Sequence, residues 1–516
     1  MNTTAYLLGI DNGNTVSKAA LFDLAGHEIA VASRPAETTY PHPGWTERSM
    51  DSLWASTAEA IRAVVAESGV DPSAIRAVGV TAHGNGLYLI DKHGHPVRPG
   101  IQSLDTRAAG ILEARAAQNG LARAFPSILQ EFWPAQPNAL LPWLKQNEPE
   151  SYARIDKIFL CKDYVKYRLT GEATSDYTDM SGTCLLDNRN RRYSTHLLDI
   201  YGIPEMADAL PRLAESTEVI GHVTAKAATE TGLAKGTPVV GGLFDVDAGA
   251  LGAGVIDTGT LCMIAGTWSI NEVLIDAPVE NPALAMVSVA AIPGKWLVLE
   301  ASATSTTNLE WFIDQCCGDE RAEAARRGIS VYQLINELVA GLPAGASEII
   351  FHPFLFGSNV QPSARAGFYG VAGWHTKAHL LRALYEGVVF SHLTHVNKLR
   401  ALGEPERARL TGGGSRSSVW TQIFADAINL PIEVAEGAEV SARGAAMAAG
   451  IGVGLYADFA DAVAQAVRIE RVQAPIPANT PYYLERFAAY SQITKAMQAA
   501  WDSLATLRRP PPGAMP

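Results

Sequence analysis

The stretch YLLGIDNGNTVSKAALFDLAGHEIAVAS, residues 6–33, decides the fold. Three short apolar runs, YLLGI, VSKAALF and EIAVAS, are separated by the turns DNGNT and DLAGH. Runs of this length bounded by Gly, Asn and Asp read as strands of an antiparallel meander. From about Ser49 to Ser68, residues Leu53, Trp54, Ala58, Ile61, Val64 and Val65 recur at helical spacing, and Asp71-Pro72 follow the end. The strand IRAVGVTA, the loop HGNG and the strand LYLID come next, and strand then alternates with helix as in an α/β domain. Near Asp257 the pattern starts again, with TLCMIA, the turn GTWS and INEVLID. A repeat at half the chain length is what a two-lobed enzyme shows, each lobe built on the same sheet.

Length agrees with this. A chain of 516 residues, 47% of them apolar, fills two domains of about 200 to 250 residues more readily than one core. The expected division is 1–256, 257–505 and a solvated tail at 506–516, ending RRPPPGAMP. With 41 basic and 53 acidic residues the formal charge is −12, and no Lys/Arg cluster offers a nucleic-acid site. The opening MNTTAYLLGID reaches an acid after a very short apolar run, so neither a signal peptide nor a membrane span is expected, and the setting is read as cytoplasmic. Five irregularly spaced cysteines, Cys161, Cys184, Cys262, Cys316 and Cys317, fit reduced structural residues rather than a disulfide framework or a zinc site. His392 and His395 share a helix face, but no third ligand accompanies them.

Three Gly-rich turns follow strands. In GIDNGNTVSKAALFD, Gly9 and Gly13 bracket Asp11 and Asn12, with Asn14 and Thr15 beyond. Small-residue turns free backbone N–H groups to cradle a phosphate, and a carboxylate at a strand end can hold Mg²⁺ through water. Gly266 and Thr267 occupy the matching turn of the second meander, and Gly412, Gly413 and Gly414 join a strand to a helix N-terminus. Each alone could be an ordinary turn needing glycine. The acid in one, the Thr in another and the triplet in the third together favour a nucleotide site. The pattern is neither a P-loop nor a G-x-G-x-x-G site.

Two further segments complete a resemblance: TGGGSRSSVWTQIFADAINLPIEV followed by EVSARGAAMAAG, and PVVGGLFDVDAGALGAG. From about Tyr6 to Leu455 the chain resembles the FGGY carbohydrate kinases. The resemblance implies an α/β, two-lobed, actin-like ATPase (ribonuclease H-like) fold, each lobe a mixed sheet flanked by helices, with the active-site cleft between lobes. The N-terminal lobe would bind sugar and carry the catalytic acid, and the C-terminal lobe would bind ATP. The family pattern places a Gly seven residues after its catalytic Asp, which selects Asp245 over Asp247 because Gly252 stands there. A carboxylate so placed can take the proton of the attacking hydroxyl, although either Asp could instead cap the helix. The resemblance further implies ATP contacts at Asn14, Thr15, Lys18, Gly266, Thr267, Thr306, Gly413, Gly414 and Ser417, and Mg²⁺ at Asp11. It implies sugar contacts at His83, Gly84, Asn85, Asp163 and Asp245, with a helix N-cap as the other reading of Asp163.

One departure is Leu140 in QPNALLPWLKQNEP, where the family's signature often has Lys. Within the family, EASATSTTNLEWF, FHPFLFGSN and HTKAHLLRALYEGVVFSHLTH are most similar to bacterial kinases of L-xylulose. The expected reaction is thus ATP-dependent 5-phosphorylation of a ketopentose, xylulose in its L-form first, with D-xylulose, L-ribulose and erythritol as alternatives. HGNG stands where glycerol kinases carry an Arg-Glu pair, which argues against glycerol. The expected partners are a small sugar and ATP, without nucleic acid or membrane, and a homodimer is allowed. A non-catalytic actin-like ATPase and a sugar sensor share the fold, but neither explains the sugar loop together with intact Asp11 and Asp245.

Overall fold

The computed structural model describes residues 5–358 and 361–507. The expected tail at 506–516 lies, from 508 onward, outside the described residues, and the last helix, Thr480–Thr506, runs to its start. The chain divides into two compact units. The first comprises residues 1–257, 274–299 and 436–468, and the second 258–273, 300–435 and 469–516. The first crossing, at Asp257, stands beside the boundary read from the sequence after residue 256, and further crossings follow it.

The opening meander of the first unit is β1 (Tyr6–Asn12), β2 (Val16–Asp23) and β3 (Glu28–Pro35), antiparallel in sequence. The helix α1 (Met50–Ser68) is capped by Ser49, whose side chain accepts from the N–H of Ser52, and ends at Gly69 with φ 65°. Its face of Leu53, Trp54, Ala58, Ile61 and Val64 is buried in the core with Leu8, Ile10, Ala19 and Leu21 of the meander. The strand Ile75–Ala82 runs parallel to β1, and Leu243–Phe244 and Pro238–Val240 run parallel to it in turn. The sheet order is Val219–His222, Pro238–Val240, Ile75–Ala82, β1, β2, β3, with Leu243–Phe244 also on Ile75–Ala82. The sheet is therefore mixed.

Its other face is covered by the helix Val440–Gly452, VSARGAAMAAGIG. A Cβ on Gly9 would stand 1.9 Å from the carbonyl oxygen of Ala442, and one on Gly79 1.9 Å from that of Ala445. Glycine in these strands therefore lets helix backbone rest on sheet backbone. The same helix meets the helix Asp245–Gly252 equally closely: a Cβ on Gly252 would lie 1.9 Å from Val440 O, and one on Gly444 2.0 Å from Ala248 O. The glycine seven residues beyond Asp245 thus has a packing reason.

The second unit repeats the plan. Thr260–Ala265 and Ser269–Ile275 form an antiparallel hairpin, and Arg407–Thr411 runs parallel to the first of them, as Ile75–Ala82 does to β1. Ile432–Ala435 continues the parallel set and Ile469–Gln473 closes it antiparallel. The long helix Lys377–Leu399 is buried along most of its length. Among the described residues no helix is long and apolar enough to cross a membrane, and all five cysteines are free thiols, buried except Cys316.

Candidate active site

In the first unit, strands end in acids. Asp11 is the penultimate residue of β1, opposite Lys18 on β2 and Thr81 on the parallel strand. Burial pushes its carboxyl up to about 6, against the pull of Lys18 and with a push from Glu439. Lys18 Nζ lies 3.0 Å from Glu439, which divides its charge between two acids. The following turn closes with the N–H of Gly13 on Val16 O at 2.9 Å; Asn14 is tied to Ser103, and Thr15 is exposed.

Asp245 is the first residue of its helix, directly after Leu243–Phe244, which pairs with Thr81–Ala82. Phe244 is the N-cap and no side chain caps this helix, so neither Asp245 nor Asp247 is a capping residue. The two acids differ. Asp247 is 4% exposed and accepts the N–H of Ala291 at 3.0 Å. Asp245 is partly open to solvent. Both carboxyls are pushed well up, first by burial; for Asp245 the next causes are the charges of Asp11 and Asp179, and for Asp247 the Ala291 amide offsets part of the rise. Asp11 and Asp245 therefore sense each other.

His83 and Asn85 lie on the loop after Ile75–Ala82. His83 is buried, with Nε2 3.1 Å from the Tyr88 hydroxyl and Nδ1 3.2 Å from Gly84 O, and burial lowers its ring to about 4, so it is neutral at physiological pH. A Cβ on Gly84 would run into the Phe244 ring at 2.2 Å, so the loop packs on the residue before Asp245. Asn85 has φ 59°, and its buried Oδ1 has no hydrogen-bond partner among the described residues. A buried amide oxygen left open in a loop of this kind is a ready acceptor for a hydroxyl.

Asp163, expected at the sugar, is engaged within the protein. It is fully buried at the third position of the helix Cys161–Thr170, where it accepts the N–H of Leu160 and meets Lys162 Nζ at 2.8 Å and Lys166 Nζ at 3.1 Å. The N-cap of this helix is Leu160, so Asp163 is not the N-cap that its alternative sequence reading offered; it stands three residues on, and its carboxylate reaches back to the Leu160 amide. Sequence reasoning missed its neighbours Lys162, Asp176 and Asp179, all fully buried. Asp179 is raised to about 7 by burial, against Lys162 and with Asp176. The signal was present in the lysines of CKDYVK and the acids of TSDYTD, but only the fold brings the two segments together.

In the second unit three turns converge. Thr306 donates its N–H to Gly266 O at 2.9 Å and its hydroxyl to the same oxygen at 2.8 Å, while Ser305 N–H bonds Thr267 O. Gly412, with φ 81°, and Gly414 press on Ala265, where Cβ atoms would approach to 2.7 and 2.8 Å. Gly413 is different: a Cβ there meets nothing within 4 Å. Ser417 is the N-cap of the helix Ser418–Ile428, accepting from Trp420 N–H and donating to Asn336 at 2.6 Å. The nine residues expected to contact ATP thus divide, Asn14, Thr15 and Lys18 in the first unit and the rest in the second.

The donors near Asp11 are hard carboxylate oxygens that repel one another, which suits a small divalent cation. No group of three or more His, Cys, Asp or Glu able to hold a metal occurs among the described residues.

Known proteins resemble the chain along its whole length. Residues 6–252 match the N-terminal domain, and residues 261–453 the C-terminal domain, of the FGGY family of carbohydrate kinases. The L-xylulose/3-keto-L-gulonate kinase of Escherichia coli K12 is 38% identical, over 96% of this chain and 98% of that protein. A probable L-xylulose kinase of Pasteurella multocida is 37% identical, over 96% and 99%. The crystal structure of xylulose kinase from Rhodospirillum rubrum superposes with a TM-score of 0.85 at 28% identity, covering 96% of this chain and 100% of that one.

Proposed function

The chain belongs to the FGGY family of carbohydrate kinases, and from that premise we propose that it transfers the γ-phosphoryl group of ATP to the carbon-5 hydroxyl of a ketopentose, L-xylulose before others. The observation that carries this reading is full-length likeness, at 38% identity, to a kinase named for L-xylulose and 3-keto-L-gulonate. Fold alone would leave the sugar open.

Asp245 is the general base. It combines partial exposure with a place at a strand end, whereas Asp247 is committed to the amide of Ala291. Proton removal makes the hydroxyl oxygen a nucleophile as it approaches phosphorus. Asn85, with its open Oδ1, holds a sugar hydroxyl, and His83, neutral, holds another by exchanging its Tyr88 or Gly84 partner. Gly413 and the Gly266-Thr267 turn approach the nucleotide phosphates. Asp11 would hold Mg²⁺, which would supply positive charge to the ATP phosphates and offset the repulsion between the acids. ATP sets the reaction in the cytoplasm.

A coupled ADP-release assay over L- and D-xylulose, L-ribulose, 3-keto-L-gulonate, erythritol and glycerol tests the reading. L-Xylulose is expected to give the highest kcat/KM. A higher value on L-ribulose or erythritol would overturn the choice of sugar, and no turnover on any of them would overturn the kinase reading itself.

A further inference from the structure

The segment Gly241–Phe244, which delivers Asp245, is held by backbone and by side chains. The N–H of Gly241 bonds Glu218 O at 2.9 Å and that of Gly242 bonds Ser216 O at 3.1 Å, while Leu243 pairs with Thr81 and Phe244 with Ala82, Gly242 standing at φ 80°. Two side chains grip it from outside. Lys166 Nζ donates to Gly241 O at 2.6 Å, and Thr178 Oγ1 accepts the N–H of Phe244 at 2.8 Å. We propose that Thr178 is a positioning residue for Asp245, holding through the Phe244 amide the point at which the helix Asp245–Gly252 begins. This rests on the reading of Asp245 as general base.

The orientation of the Thr178 hydroxyl is fixed by what lies behind it. Its proton goes to Asp176 Oδ1, which also accepts the N–H of Thr178 at 3.0 Å, so a lone pair is left to face Phe244. Asp176 is held in turn by Lys162 Nζ, which also meets Asp163 at 2.8 Å and Asp179 at 3.0 Å. All of these side chains are fully buried, and Thr178 is 1% exposed. Buried charges persist only where partners compensate them, and such a group resists rearrangement. The Lys162 cluster is a stiff mount for one hydroxyl.

The short helix that carries Thr178, Tyr177–Ser181, reaches the neighbouring acid as well. Ser181 Oγ accepts the N–H of Val289 at 3.2 Å, and two residues on Ala291 donates to Asp247. One helix thereby holds both the start of the Asp245 helix and the chain that engages Asp247. A base displaced by a fraction of an ångström loses the alignment that proton transfer requires.

Thr178→Val keeps the shape and removes the hydroxyl. It is expected to lower kcat about tenfold or more while the KM values for sugar and ATP stay within about twofold, and Thr178→Ser should recover most of kcat. Amide exchange in the peptide covering residues 241–247, read by mass spectrometry on the whole chain, should quicken about tenfold in Thr178→Val and not in Thr178→Ser. Unchanged kcat in Thr178→Val, or serine no better than valine, overturns the proposal. If Thr178→Val does not fold, Thr178→Ser and Thr178→Cys form a pair differing only in oxygen against the weak acceptor sulfur, and equal kcat in that pair overturns it too. Asp245→Asn separates the two readings. If Asp245→Asn retains turnover, the base assignment fails and with it the positioning role; if it loses turnover while Thr178→Val retains it, only the positioning role fails.

Discussion

Asp245 and Asp247 stand two residues apart at one helix start, yet only Asp247 is tied to a backbone amide. General-base catalysis contributes about 10²- to 10⁴-fold, so Asp245→Asn should lower kcat by at least the lower figure with little change in KM. Asp247→Asn should be milder in kcat and costlier in stability, because its carboxylate holds the chain at Ala291. Steady-state kinetics and thermal melts of the two variants check the order. Asp11 makes a prediction in pH. Its carboxyl is raised in the folded state to about 6 from an ordinary value of 3.8, so the folded protein binds the proton more tightly. Stability from this group is then present at low pH and is lost as pH rises from about 4 to 6. Asp11→Asn should raise Tm relative to wild type at pH 7.5 by about 2 °C or more, and the difference should vanish near pH 4. The spacing to Gly252 singled out Asp245 in the sequence, but Thr178 was not legible there. Its role depends on a bond to Phe244, 66 residues away, which no local pattern records.

Elements were legible where turn chemistry and periodicity act locally. The meander of residues 6–33 and the helix from Ser49 to Ser68 stand where Gly, Asn and Asp punctuate apolar runs. What could not be read locally is which glycines serve packing and which stand free of it. Gly412, Gly413 and Gly414 form one triplet in the sequence, yet Gly412 and Gly414 press on Ala265 while Gly413 faces open space. Gly413→Val should therefore fold with a Tm close to wild type and weaken ATP binding about tenfold or more, since the new side chain fills space a phosphate would take. Calorimetric titration with ATP decides it: unchanged affinity would remove this turn from the nucleotide site.

At the scale of the whole molecule, the chain is threaded back and forth between its units. The sheet of the first unit buries Leu7, Ala20, Phe22, Ala77 and Val240 in one cluster with Ala442, Ala445, Ala446 and Ala449, almost two hundred residues beyond Asp257. A fragment ending at residue 257 leaves that face uncovered, and at about 25 cal/mol per Å² of apolar surface such exposure outweighs a marginal stability. Residues 1–257 alone should aggregate or remain open to proteolysis, and the same fragment joined to 274–299 and 436–468 by flexible linkers should give a cooperative melt. Sequence reading divides the lobes once, where the meander starts again near Asp257, whereas the return of Val440–Gly452 is written in small residues whose sheet lies far upstream. The thiols offer something practical. With four of five cysteines buried, Cys316 is the natural handle on the second unit for a maleimide dye or a spin label. A reporter could be attached at one known point on the unaltered chain, with no cysteine-free background to engineer first.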